Sequence, residues 1–183
     1  MLHINFSGPR ALLPNNDNVP LLHALPEAWQ PGIFLWTFFY NQAYRVNLVE
    51  VCARSVAERH TELLAEFLAG KRKFYRATEL SEGVLEPAYN PHDDRAQFIS
   101  EFTTLMSQLI VMRIFFAPFS GPMTQLKRIG DGIMAHFQQL GGRAAGWLEN
   151  TPLEYDRKSF DEAFTLRLGR PAFIGSLPDE LHL

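Results

Sequence analysis

"GIFLWTFFYNQAYRVNLVEVCARSVAERHTELLAEFLAG", residues 32–70, contains neither proline nor glycine between its two end glycines, and its reading decides the fold. Apolar or semi-apolar positions step through Phe39, Val46, Val49, Ala53, Val56, Leu63 and Phe67, in threes and fours where the pattern is regular. That period predicts one amphipathic helix over residues 32–69, roughly 55 Å long at 1.5 Å per residue. Pro31 suits its first turn, and Gly70 followed by Lys71, Arg72 and Lys73 suits its end. The first half carries Phe34, Trp36, Phe38, Phe39, Tyr40 and Tyr44 round most of the circumference. A helix that is apolar all round has to be covered on several sides, by other elements, a partner chain or a ligand.

The flanking sequence extends the same reading. Prolines at 9, 14, 20, 26 and 31 preclude a long helix over residues 1–31, while Leu12, Leu13, Leu21, Leu22 and Trp29 point to an arm lying on a core. Residues 71–90 read as a connector. A second helix is expected over 91–117, with Phe98, Phe102, Leu105, Leu109, Met112 and Phe116 on its core side. A third, over 121–140, carries Met123, Leu126, Ile129, Ile133, Phe137 and Leu140. Gly130 and Gly132 inside it cost about 1 kcal/mol each against alanine, which is tolerable where another helix packs close. Ser159 and Glu162 form a capping box for a short helix over 160–168, stopped by Gly169. Residues 170–183 are punctuated by Pro and Gly yet apolar, as for a second clasping arm. With no strand-like alternation longer than a few residues, the expectation is all-α: one domain, 1–183, built as an irregular bundle of three main helices with clasping termini.

Composition narrows the class. A chain of 183 residues with 46% hydrophobic and 13% aromatic residues can bury a real core and is no disordered tail. A net charge of −3 supplies no field that would draw in nucleic acid or an anionic membrane. One cysteine, Cys52, excludes an internal disulfide and any multi-cysteine metal site, and mid-helix it reads as a small core residue. The N-terminal stretch lacks the pattern of a secretory signal, and no apolar run approaches ~20 residues. A cytoplasmic protein without membrane insertion is the expectation.

Candidate chemistry is sparse. In "NPHDDRAQF" (90–98), Asn90 suits an N-cap and Pro91 the first helical position. Asp93 and Asp94 then complement the positive end of the helix dipole. The competing reading takes His60, His92, Asp93 and Asp131 as metal ligands in the order an HD-type phosphohydrolase uses, but three common residue types in order are cheap to find by chance. His60 lies on the apolar seam of the first helix, either as a ligand to haem or metal together with His92 or His136, or as a packed histidine hydrogen-bonded across an interface; the latter is the commoner arrangement. Glu58, Glu62 and Glu66 form an acidic ridge at i, i+4 spacing, relieved by Arg54 and Arg59. "GKRKFYR" (70–76) mixes cations with aromatics, yet one short patch on an acidic chain is weak support for nucleic-acid binding. No Gly-rich phosphate loop and no nucleophile elbow is present.

The leading functional expectation is therefore a non-enzymatic module with no cofactor. It would bind a protein partner, or itself as a homo-oligomer, through Phe34, Trp36, Phe38, Phe39, Tyr40 and Tyr44. A helical-core protein holding haem or a metal at His60 is the alternative.

Overall fold

The computed structural model describes residues 1–71, 74–77, 85–89, 94–140 and 164–183. In chain order it contains β1 (Leu2–Asn5), β2 (Ser7–Ala11), β3 (Gly32–Tyr40), β4 (Ala43–Cys52), α1 (Val56–Leu68), β5 (Phe74–Ala77), β6 (Leu85–Tyr89) and α2 (Arg95–Val111). After these come β7 (Arg113–Pro118), α3 (Met123–Leu140), β8 (Thr165–Gly169), β9 (Ile174–Gly175) and β10 (Glu180–His182). Two short 3-10 turns, Leu22–Ala24 and Pro26–Trp29, lie between β2 and β3. The fold is mixed α/β, which overturns the all-α bundle. A five-stranded sheet runs in the order β2-β7-β3-β4-β9, a three-stranded one in the order β1-β8-β10, and β5 pairs with β6.

The decisive stretch is a β-hairpin followed by a helix, not one helix. Asn41 and Gln42 both have positive φ, 48° and 60°, and close a two-residue turn between Tyr40 and Ala43. That geometry matches the right-handed twist of the flanking strands. Along β3 the side chains alternate: Ile33 and Leu35 enter one core, Phe34 and Trp36 the other. A strand buried on both faces shows no polar-apolar alternation, because both sides of the pleat are apolar. The helical part starts only at Val56. Ser55 caps it by accepting from the Glu58 amide at 3.0 Å, and the chain leaves it through Gly70 at φ 67°. Amide bonds from Gly70 to the Phe67 carbonyl and from Lys71 to the Glu66 carbonyl complete a Schellman ending.

Three further expectations are corrected. The second helix ends at Val111 rather than 117, and Arg113–Pro118 is β7, the strand on which β3 pairs from Gly32 to Thr37. Its cap is Asp94, whose carboxylate accepts from the Gln97 amide at 2.8 Å, in place of Asn90. Of the short helix over 160–168, residues 160–163 lie outside the described residues, and Thr165–Gly169 is β8. The terminal arms are strands woven into the sheets: β1 pairs parallel with β8, and β9 pairs parallel with β4.

The large sheet has a core on each face. On one side α3 lays Leu126, Ile129, Ile133 and Phe137 over Ile33, Leu35 and Phe115, together with residues of the three-stranded sheet. On the other, α1, α2 and the N-terminal arm cover Phe34, Trp36, Leu48 and Phe116. A Cβ at Gly130 would meet Val51 Cγ2 at 2.3 Å, so α3 approaches strand β4 there, where another helix was expected. Among the described residues, no helix is long and apolar enough to cross a membrane.

A second such approach is strand on strand, against backbone. A Cβ on Gly32 would lie 2.3 Å from the Ala117 carbonyl oxygen on β7. Backbone in a central pair cannot step aside as a side-chain tip can. Gly32→Ala is therefore expected to destabilise at the upper end of the usual overpacking cost, about 3 kcal/mol. Urea unfolding would check it; an unchanged midpoint would show that β3 and β7 are not held at this separation.

Candidate functional site

The aromatic stretch proposed as a partner surface divides along the hairpin. Phe34 and Trp36 are buried core side chains and face no solvent. Phe38 and Tyr44 are half-buried, while Phe39 and Tyr40 are exposed near the turn. Beyond Thr37, β3 has lost β7 as a neighbour and pairs with β4 alone, so the tip projects past that side of the sheet. Phe39 is 61% exposed, yet it is not a loose ring. It lies 5.0 Å from the Tyr44 ring, which meets the buried Phe115 ring edge-on at 4.9 Å. The Tyr44 amide donates to the Phe173 carbonyl, which brings Phe173, itself 60% exposed, to the same end of the sheet.

His60 is the most unusual polar group. It is 0% exposed on α1 and accepts from Trp36 Nε1–H at Nδ1, 3.2 Å away. The neutral ring therefore carries its proton on Nε2, which has no hydrogen-bond partner of good geometry among the described residues. Rings surround it: Trp36 and Phe34 edge-on at 5.7 and 6.1 Å, and His23 at 5.6 Å. His23 in turn reaches Thr61 Oγ1 at 2.7 Å and lies under Trp29. Burial pushes the His60 pKa down from 6.5 to about 4, the charge of His23 pushes the same way, and the nearby Leu12 backbone offsets part of this. The site is a packed neutral histidine within an aromatic cluster. His23, which lies against it, comes from the N-terminal arm with Trp29 beside it; no local spacing in the sequence could have paired it with residue 60.

Among the described residues, none joins His60 in a set of three that could hold a metal. His60 belongs to the helical layer that covers one face of the large sheet, and Asp131 and His136 sit on α3 across the other face. The sheet between them prevents a shared ion. His92 and Asp93 lie outside the described residues. Among the described residues, no three His, Cys, Asp or Glu side chains are placed to hold a metal. Asp131 is pushed up by partial burial, with Lys127 opposing. Cys52 is buried, and its thiol is pushed up by burial and then by the charge of Glu50, which leaves it a poor nucleophile.

A cleft of 240 Å³ does open between α3 and β10, lined by Gly132, Ala135, His136, Gln139 and residues 180–183. Three of its polar side chains are turned to structural partners. His136 Nε2 is 3.0 Å from the Ser176 carbonyl, His182 Nδ1 is 3.2 Å from Thr165 Oγ1, and Glu180 accepts from Arg167 at 2.6 Å. Among the described residues, no hydroxyl or thiol nucleophile lines it.

Two of the three carboxylates of the acidic ridge, Glu62 and Glu66, are ion-paired where they stand. Arg54 reaches Glu62 at 2.9 Å, and Arg59 reaches Glu50 at 3.2 Å and Glu66 at 3.4 Å. Burial works against the Arg59 charge, but the hydrogen bonds and charges of Glu50 and Glu66 outweigh it and hold its pKa above the ordinary value. In the basic stretch 70–76, Arg72 and Lys73 lie outside the described residues, and residues from Phe74 on form β5. No protein-family model, curated protein or solved structure matches this chain.

Proposed function

We propose that this chain is a protein-interaction module that docks a protein partner on the aromatic end of the β3–β4 hairpin. The supporting observation is Phe39, an exposed ring stacked on Tyr44 and through it on the core. A ring already held in place loses little freedom when a partner covers it, so more of its apolar burial appears as affinity. Phe173 and Tyr40 at the same end widen the contact. The reading needs no cofactor and no reaction. It replaces the helical surface expected from sequence with a strand-borne one.

A photo-crosslinking amino acid placed at Phe39, and separately at Phe173, tests it in the cells that make the protein. Both positions are expected to yield one common adduct, while the exposed control position Leu140 yields none. Phe39→Ala is expected to abolish the adduct at 173 while changing folding stability by less than about 1 kcal/mol, as for most exposed sites. No adduct at either position, or the same adducts from Leu140, would overturn the proposal.

A further inference from the structure

The segment between β2 and β3, residues 12–30, buries Leu12, Leu22 and Ala28 in the core that Phe34 and Trp36 enter. Its own backbone bonds are local, from Leu25 to Leu22 and from Ala28 to Leu25. Among the described residues, its hydrogen bonds to other elements are those of Pro20 with the Ala11 amide, Gln30 with the Val56 amide, His23 with Thr61 and Asp17 with Arg113. A segment held in this way opens at lower cost than the strand ladders beneath it.

His60 lies under this cover. It is fully buried, with the His23 ring of the segment 5.6 Å away and the Leu12 backbone near. Trp36 Nε1–H donates to its Nδ1, and Nε2 already carries the proton of the neutral ring. A second proton has to go on Nδ1, where it would meet the indole N–H head-on, two donors without an acceptor. The other walls offer the charged ring nothing. β3 presents Phe34 and Trp36, and α2 gives Phe98, Leu105 and Leu109 to the same core. On α1, Arg59 is turned to Glu50 and Glu66, while Glu58 and Glu62 are exposed. Cys52 of β4 keeps its thiol proton. On the segment itself Glu27 is exposed, Asp17 is paired with Arg113, and a charge on His23 would repel one on His60. What an imidazolium needs here is water, and lifting the segment admits it.

We infer that residues 12–30 form an acid-released latch: protonation of His60 requires the segment to lift, so mild acid opens it while the sheets stay folded. Opening bares the His60 side of α1, an apolar surface that the closed form hides. The latch is a local event, distinct from unfolding of the chain, and stands apart from the hairpin docking above.

Amide hydrogen exchange followed residue by residue by NMR tests it on the full chain, each rate being divided by its intrinsic chemical rate at that pH. The Val56 amide, which donates to Gln30, and the Ala28 amide report on the segment; amides of the β3–β7 ladder report on the whole fold. The segment amides are expected to exchange faster than the ladder, at rates that low urea leaves unchanged. Their opening constant is expected to rise about twenty-fold from pH 7 to pH 5, because the open form binds a proton that the closed form holds off. His60→Gln should abolish that rise and His23→Gln should keep it, with circular dichroism checking both folds. Where His60→Gln does not fold, the wild-type series decides by its slope, which should approach one proton per opening. Segment amides as slow and as urea-sensitive as the ladder would overturn the latch. So would a flat pH series, a rise that survives His60→Gln, or one that is lost in His23→Gln.

Discussion

Replacing Trp36 by alanine is expected to remove about 4 kcal/mol or more of folding stability. A large buried aromatic truncated to alanine costs about 3–5 kcal/mol, because the surroundings relax only partly into the cavity. Here a second cost adds. Trp36 Nε1–H is the donor to the buried His60 Nδ1, and a buried acceptor left without a partner costs about 1–3 kcal/mol. The Phe67 ring, 5.4 Å from that of Trp36, loses its neighbour as well. Against a total of about 5–15 kcal/mol for a domain, such a loss is about a quarter of the stability or more. Trp36→Phe keeps most of the volume but lacks the donor, so it isolates the hydrogen-bond share. Chemical denaturation followed by circular dichroism reads both variants. A loss below about 1 kcal/mol for the alanine variant would mean that the cluster is not packed as described.

The second large effect belongs to acid. The folded chain holds His60 neutral down to about pH 4, whereas the unfolded chain takes up that proton near 6.5. Between those values the unfolded state binds more protons, so stability is whole above pH 6.5 and falls as the pH drops toward 4. The full span is worth about 3 kcal/mol at 1.36 kcal/mol per pH unit, with about 2 kcal/mol gone by pH 5. Below pH 4 this group adds no further dependence. Carboxylates contribute chiefly at the acid end, so the stretch from pH 6.5 to 5 is the diagnostic one. His60→Gln retains an acceptor for Trp36 and removes the titration. Its stability, measured from denaturation midpoints, should be nearly flat over that stretch. An equally steep fall in the variant would assign the acid sensitivity elsewhere.

Part of this arrangement can be read from the chain. The apolar seam places residue 60 inward, and a histidine there is expected to be hydrogen-bonded across an interface; it is buried with Trp36 as its donor. The third helix was placed at 121–140 and runs from Met123 to Leu140. The failure lies in residues 32–52, and a β-bulge explains much of it. Trp36 pairs with Leu48 but Thr37 with Val46, so Asn47 is an extra residue on β4. Val46 and Val49, three apart, consequently enter the same core. A spacing of three on one face is the mark of a helix, and here a bulge produces it within a strand. Burial of both faces hides the remaining period of two. Two local signals did mark the boundary. "NQ" at 41–42 opens with a residue that tolerates positive φ, and "SVAE" at 55–58 is a capping box that starts a helix at 56 rather than 32. The His23 neighbour of His60 was beyond sequence for another reason: it reaches the ring only because the arm folds back over α1.

The weave of the termini bears on how the molecule is made. Residues 2–5 leave the ribosome long before the strand they pair with, Leu166–Gly169, has been synthesised. The same delay holds for Tyr44 and Arg45, whose outer neighbours are Ile174 and Gly175. The central hairpin, the helix after it and the β7 strand can assemble while translation continues, since their pairings close within the first 118 residues. The small sheet has to wait for β8 and β10. Until then β1 is an unpaired strand, and the α3 side of the sheet lacks part of its cover, which leaves the nascent protein open to wrong strand pairing on that face.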